Sequence, residues 1–453
     1  MPHSRESAEN RENALREEDS KMRRTPGIRS GRAKAGTRAV WMFMAVPALF
    51  SMAGQAMVAG HSPLLSQEPF TLQDLLRMGR EGNPNLQALR AQEAASFANR
   101  RDAGRFQNPE FGFESGKGEP FEGGEKKTLT EFSLSQTIDN PISRHHRLGA
   151  LTEQAQAATE EVRFGALSVD YEIRQHFFRI LSLTEFVRLA RLNEEALEEV
   201  RDLIELRAQL GEVRDLEAIR LRVEHMRAQN QVQAAELELE QFRKHLNMFL
   251  GNVLPEDYAL AGELSSNLQV PDFDLLVEER LPLHPLLQRA DRYRMAADRS
   301  VKASQFGWFP SPVVSAKSAQ ELDGDIFKIG VGVQIPLWNF SRAVVDRERQ
   351  TLRRTEHEQE GIRLELEAAL MIHHNHLLMH QRTLQLFREG LLEEAEMSME
   401  IAESSYREGE ISLIEYLDAR RTYQSIQIEY QQALFDWNRE LAELDRAAGG
   451  GIL

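Results

Sequence analysis

Residues 208–222, AQLGEVRDLEAIRLR, return as residues 406–420, YREGEISLIEYLDAR, at an offset of 198 positions. Each stretch carries a glycine just ahead of a new apolar run, Gly211 in the first and Gly409 in the second. Outward from there the echo continues. Gly251 recurs as Gly449, and Leu75, Pro84, Leu86, Ala95 and Pro109 recur 201 positions later as Leu276, Pro285, Leu287, Ala296 and Pro310. One unit is therefore written twice over nearly the whole chain. A solenoid needs three or more short repeats to bury a core, so two units of this size point to a pseudo-symmetric body completed by partner chains.

The glycines end long helical patterns. From Leu148 every seventh residue runs Leu148, Ala155, Val162, Val169, His176, Leu183, Ala190, Leu197, Ile204, and all but one are apolar. That is a heptad stripe. No proline lies between Pro141 and Pro255, and a helix over 148–210 would be about 95 Å long. The second copy predicts a matching helix over 341–408, with the stripe Leu366, Leu370, His373, Leu377, His380, Leu384, Phe387 and Leu391. A glycine stop with an immediate restart makes a helical hairpin, so Gly211 and Gly409 are read as hairpin tips. The returning helices, 215–250 and 412–447, are about half the length of the outgoing ones. Helices over 84–106 and 285–306 have the missing length and are expected to stack on them end to end.

Between short and long helices the period changes from 3.6 to two. Phe111 and Phe113 alternate with polar residues, a Gly/Glu-rich loop follows, and then come Phe132, Leu134, Gln136 and Ile138. In the second copy Val313 begins a strand and, after Asp323-Gly324-Asp325, Ile329, Val331, Val333, Ile335 and Leu337 alternate. These read as two β-hairpins with strands of about ten residues, the length of a transmembrane β-strand. Four strands cannot close a membrane barrel, for which eight is the practical minimum, so several chains must share one.

Composition agrees with long helices: 28% of residues are charged, and glycine and proline are sparse. Cysteine is absent, which excludes disulfides, thiolate metal sites, a thiol nucleophile and a cysteine-linked lipid. The formal charge is -16; residues 1–59 hold ten Lys/Arg and six Asp/Glu, so the remainder carries -20, which argues against nucleic acid as a partner. Arg29, Arg32, Lys34 and Arg38 precede an apolar run broken by Pro47 and ending at Ala56 and Ala59. It reads as a secretory signal cleaved near Ala59, with Met22 as a later start. The divisions are a leader, 1–59, and two repeats, 60–268 and 269–453.

Taken together, the Asn83-Pro84 opening with its Pro285 echo, the strand exits Ser135-Gln136-Thr137-Ile138 and Gln334-Ile335-Pro336-Leu337, and both glycine tips resemble the TolC-type outer-membrane efflux channels from about Phe70 to Gly451. GEISLIEYLDARRTY from Gly409 and IPLWN from Ile335 are most similar to the outer-membrane components of tripartite heavy-metal efflux systems of the RND type. The resemblance implies a mainly α fold with membrane β: long helical hairpins forming a periplasmic α-barrel, and four strands entering a shared β-barrel. It implies a homotrimer with twelve strands in outer-membrane lipid and a long periplasmic extension. Its implied partners are a periplasmic adaptor and an inner-membrane pump, and its implied activity is passive conduction of heavy-metal cations. Drug efflux or type I protein secretion is the alternative cargo, and a pore-less exported coiled-coil scaffold is a rival class that would have no use for the strands.

No enzyme constellation is present: there is no Gly-x-x-x-x-Gly-Lys, no dinucleotide fingerprint and no His-Glu-x-x-His, so neither catalysis nor a cofactor is expected. Glu415 and Asp418 lie three apart just after the second tip, on one helix face. The resemblance puts their counterparts at the periplasmic entrance, where a carboxylate ring selects cations. It also assigns closing contacts to Tyr406 and, on the first hairpin, Glu217. Gly211, Val213, Gly409 and Ile411 mark tips suited to docking an adaptor's helical hairpin. His373, His376 and His380, with His374, have the spacing of a helical metal site, but His373 and His380 fall on the apolar stripe. They are read as packed or pore-facing, and no metal site is expected.

Overall fold

The computed structural model describes residues 69–119, 123, 125–211, 213–335 and 340–453. The leader with its signal and cleavage point, and 336–339 of the IPLWN run, lie outside the described residues. A two-residue strand β1 (Phe70–Thr71) leads into α1 (Leu72–Gly82) and α2 (Pro84–Ala103). Strands β2 (Glu110–Gly118) and β3 (Lys127–Thr137) follow, then the long α3 (Pro141–Gln209) and the returning α4 (Asp215–Phe249). After β4 (Leu260–Ala261), which pairs in parallel with β1, and three short helical turns between Phe273 and Leu283, the order recurs. It runs α5 (Pro285–Gln305), β5 (Pro312–Glu321), β6 (Gly324–Val333), α6 (Arg342–Leu386), α7 (Leu392–Glu408) and α8 (Leu413–Ala447).

At 69 residues α3 is about 100 Å long. Seven of its nine stripe positions are buried, His176 among them. Its partners are α1, α2, α4, α5 and α8, while α6 packs on α5 and α8. Carboxylates withdrawn from water fix α3 to its neighbours: Asp170 accepts from Arg80, Glu153 from both Arg292 and Arg299 at 3.1 Å, and Asp445 of α8 from Arg174 at 2.5 Å. Removing one partner of such a pair strands a buried charge, so these contacts hold the helices in one register.

The short helices meet the returning ones end to end. Asn83 caps α2, its Oδ1 accepting from Asn85 N at 3.0 Å and Leu86 N at 3.2 Å, while its Nδ2 donates to Phe249 O at the end of α4. In the second copy His284 takes this place, its Nδ1 accepting from Leu286 N at 3.2 Å, with a hydrogen bond to the Arg446 backbone of α8. Asn140 does the same for α3, accepting from Ile142 N and donating to Phe306 O at 2.8 Å. Each cap contributes about 1 kcal/mol and in addition welds two helix ends.

One expectation fails. The helix over 341–408 is interrupted by a π turn, Phe387–Leu391, in which Gly390 has φ 121°. The extra residue rotates the stripe, so Leu391 is exposed and burial resumes at Ala395, Met399 and Ala402.

Strands β2, β3, β5 and β6 form one antiparallel sheet in that order. Residues paired across strands share a face. Phe113, Phe132, Ser318 and Phe327 lie in one row, and Phe111, Leu134, Ala316 and Ile329 in the next. That face is apolar and bare: Phe327 is 69%, Ile329 72% and Val331 69% exposed. The opposite face carries Glu131 paired with Lys317 at 2.7 Å. Among the described residues, the outer edges of β2 and β6 have no neighbouring strand.

Burial pushes the His284 imidazole down from 6.5 to about 4. Its folded value lies below its unfolded one, so the contribution is complete above pH 6.5 and is lost as pH falls toward 4. H284N should keep the cap, as Asn83 does in the first copy, and flatten the fall of the thermal midpoint between those pH values. An unchanged slope would show that His284 does not drive that acid sensitivity.

Candidate pore entrance and helical tips

At the far end of the hairpins a small core joins four helices: Leu197 and Ile204 of α3, Ala218 and Leu221 of α4, Met399 of α7, and Leu413, Tyr416 and Leu417 of α8. Gly211 and Gly409 adopt φ of 76° and 80°, and a Cβ added at either would meet nothing within 4 Å. Glycine is therefore required by backbone conformation alone. Val213 and Ile411 are half-buried against this core, so they hold the tips from inside. The exposed apolar groups are instead Leu210, at the start of the first tip, and Leu216, Ile219 and Ile414, the last three missed by sequence reasoning as docking candidates. A groove of about 420 Å³ lies between α4 and α8, lined by Ile219, Val223, Ile414 and Leu417 with Arg421 and Glu224. Arg421 reaches across to Glu224 at 2.5 Å, and Arg420 of α8 donates to Asn193 of α3 at 3.0 Å.

Glu217 and Glu415 occupy equivalent positions of the two copies but do different work. Ser412 caps α8, and Glu415 closes a capping box, its Oε2 accepting from Ser412 N at 2.7 Å and Ser412 Oγ at 2.8 Å. Those bonds, the backbone one first, hold the exposed Glu415 carboxyl below its usual range. Arg214 stands where Ser412 stands, and no side chain caps α4. Glu217 lies within electrostatic reach of Tyr406 of the other hairpin: burial first, and the Glu217 charge second, push the Tyr406 phenol up. The Tyr406 ring stacks on Tyr416 at 5.0 Å. Asp418, one turn beyond Glu415, is exposed.

Higher on α6 the histidines do not act as one group. His374 Nε2 donates to Pro271 O at 3.1 Å. His373 Nδ1 and His376 Nδ1 instead converge on Oε1 of Glu440 in α8, at 2.8 and 3.2 Å. Burial raises the Glu440 carboxyl, and bonds and charge from the two imidazoles more than offset it, leaving it lowered. Glu440, distant in sequence from both histidines, was invisible to spacing arguments.

With the duplicated hairpins, the open amphipathic sheet and the tips in view, comparison with known proteins is informative. Residues 276–450 match the family described as "Outer membrane efflux protein". That match falls within the second copy of the duplicated unit. Among curated relatives, the cobalt-zinc-cadmium resistance protein CzcC of Cupriavidus metallidurans is 24% identical over 395 residues, 84% of this chain and 90% of that protein. The probable outer membrane lipoprotein SilC of Salmonella typhimurium is 24% identical over 80% of this chain and 82% of its own length. The solved outer-membrane channel OprN superposes with a TM-score of 0.71 at 18% identity, covering 84% of this chain and 90% of that one. The fold is thus the TolC type. Among the described residues, no helix is long and apolar enough to cross a membrane.

Because only φ constrains the tips, G409V should cost about 1–2 kcal/mol locally while G409N, a residue that tolerates the left-handed region, costs little. Amide exchange over 405–413 should quicken in G409V and stay near wild type in G409N. Equal protection in all three would mean the tip does not need its glycine.

Proposed function

We propose that three copies of this outer-membrane efflux channel close one twelve-stranded β-barrel. Their helical hairpins form a periplasmic duct fed by an adaptor and an RND-type inner-membrane pump, and the cargo is heavy-metal cations. The observation that carries the reading is the four-stranded sheet, which is apolar on its exposed face and has two open edges. A span in lipid must satisfy every backbone N–H and C=O, and a partial sheet does so only when neighbouring chains complete it. The cargo rests on the likeness to CzcC, whose name states cobalt, zinc and cadmium resistance. The duct consists of two repeats, 60–268 and 269–453, each contributing one hairpin and two strands.

In this reading Glu415 and Asp418 ring the periplasmic entrance, and the pair formed by Tyr406 and Glu217 holds the two hairpins of one chain together at the closed end. The exposed tip residues Leu210, Leu216, Ile219 and Ile414, around Gly211 and Gly409, meet the adaptor. Val213 and Ile411 support them from behind. Converging carboxylates beside a low-dielectric wall favour cations and resist anions.

The test separates charge from folding. Gln at the third helical position preserves a capping box, so E415Q with D418N removes both charges while leaving the end of α8 formed. The detergent-solubilised variant should retain the mass of three chains. In planar bilayers under a salt gradient its reversal potential should move toward the non-selective value and divalent block should weaken. Unchanged selectivity and block would place both carboxylates outside the pore, and a wild-type mass other than three chains would overturn the barrel.

A further inference from the structure

We propose that His373, His376 and Glu440 form a binding site for one borderline divalent cation, of the Zn²⁺, Co²⁺ or Ni²⁺ class, that clips α6 to α8. Among the described residues these three are the group whose ligand atoms gather, all within 4.8 Å of one another. The two imidazoles stand three apart on α6, so they share a face, and both aim Nδ1 at the same carboxylate oxygen from the neighbouring helix. The Glu440 side chain is only 6% exposed, whereas that of His376 is 53% exposed. The site therefore has a fixed floor and an adjustable, solvent-reachable lip.

The geometry suits a small tetrahedral ion. Ligand atoms about 2.0–2.1 Å from such an ion lie roughly 3.3 Å from each other, and the two observed N–O separations of 2.8 and 3.2 Å are already close to that edge. The remaining edge shortens by rotation of the half-exposed His376. Two imidazoles and one carboxylate match the donor preference of zinc, cobalt and nickel, and disfavour magnesium and calcium, which want oxygen alone. A fourth position stays open to water or to His380, one turn further along α6 and within electrostatic reach of His376, Glu440 and Asp436. His374 is excluded because its Nε2 is committed to the Pro271 carbonyl.

The simplest alternative is a pair of imidazole–carboxylate hydrogen bonds with no ion. It accounts for the buried carboxylate, but it makes a different prediction about metal. The site does not depend on metals being the exported cargo, since binding by purified protein is measured apart from metal tolerance of cells. If it fills, α6 and α8 are tied by coordination beside the fully buried Leu377 and Trp437, and the helical body becomes more stable in metal.

The experiment uses the untagged full-length protein in detergent, stripped with chelator and titrated with Co²⁺, whose visible absorption reports coordination. The wild type should take up one Co²⁺ per chain, released by Zn²⁺ and unaffected by excess Mg²⁺. H376A, at the exposed lip, should weaken binding at least about tenfold, and H373A/H376A should abolish it. H145A/H146A, at a histidine pair elsewhere on the chain, should bind as wild type does. Zn²⁺ should raise the thermal midpoint of wild type and of H145A/H146A but not of H373A/H376A. Absence of Co²⁺ uptake by the wild type, or undiminished uptake by a folded H373A/H376A, would overturn the proposal.

Discussion

A β-strand in hydrocarbon has no water to turn to, so each of its backbone N–H and C=O groups needs a strand beside it. Among the described residues, the sheet β2-β3-β5-β6 leaves its two outer edges open while presenting Phe111, Phe113, Phe132, Leu134, Phe327, Ile329 and Val331 on one exposed face. In water that surface would be an aggregation hazard, since a flat apolar edge recruits any strand it meets. As one sector of a barrel, the same face meets lipid and the same edges meet their counterparts. In the proposed barrel each copy of the duplicated unit delivers one hairpin, and symmetry among chains supplies the rest.

The helices transmit this arrangement to the opposite end of the molecule. Long and short helices must stay in register over about 100 Å, where small errors at each joint would accumulate. The joints are capped ends that serve two helices at once, Asn83 with Phe249, His284 with Arg446, and Asn140 with Phe306. Between them, buried carboxylates such as Glu153 and Asp445 leave few alternative alignments, because shifting one helix by a turn would strand a charge. At the tips the two copies diverge: Ser412 occupies Glu415 in a cap, whereas Arg214 offers no cap and Glu217 lies within electrostatic reach of Tyr406. The two tips at that one end of the pseudo-symmetric body are therefore chemically different.

Much of this was legible in the chain. Period-seven and period-two patterns located the long helices and the four strands, because both signals come from burial on one side of a regular element. The glycine tips were readable because positive φ selects glycine. The unreadable parts share a cause: they depend on residues far apart in sequence. Glu440 joins His373 and His376 only because α8 packs on α6, and His284 links the start of α5 to the Arg446 backbone only because those two helix ends meet. The π turn with Gly390 at φ 121° lies inside what the sequence shows as one continuous stripe from Leu366 to Leu391, so periodicity alone did not reveal it. Val213 and Ile411 looked like exposed tip residues because spacing cannot tell a side chain that packs beneath a turn from one that points away.

The account stands on the sheet being one sector of a lipid-facing barrel. The chain has no cysteine, so single cysteines placed in turn along 326–333 of β6 can carry a nitroxide label without competition. With the protein in lipid vesicles, collision with oxygen and with a polar nickel reagent would be measured at each position. The account predicts a period of two, with oxygen access high at 327, 329, 331 and 333 and low at the residues between. Uniform access of the polar reagent, or no alternation at all, would contradict it.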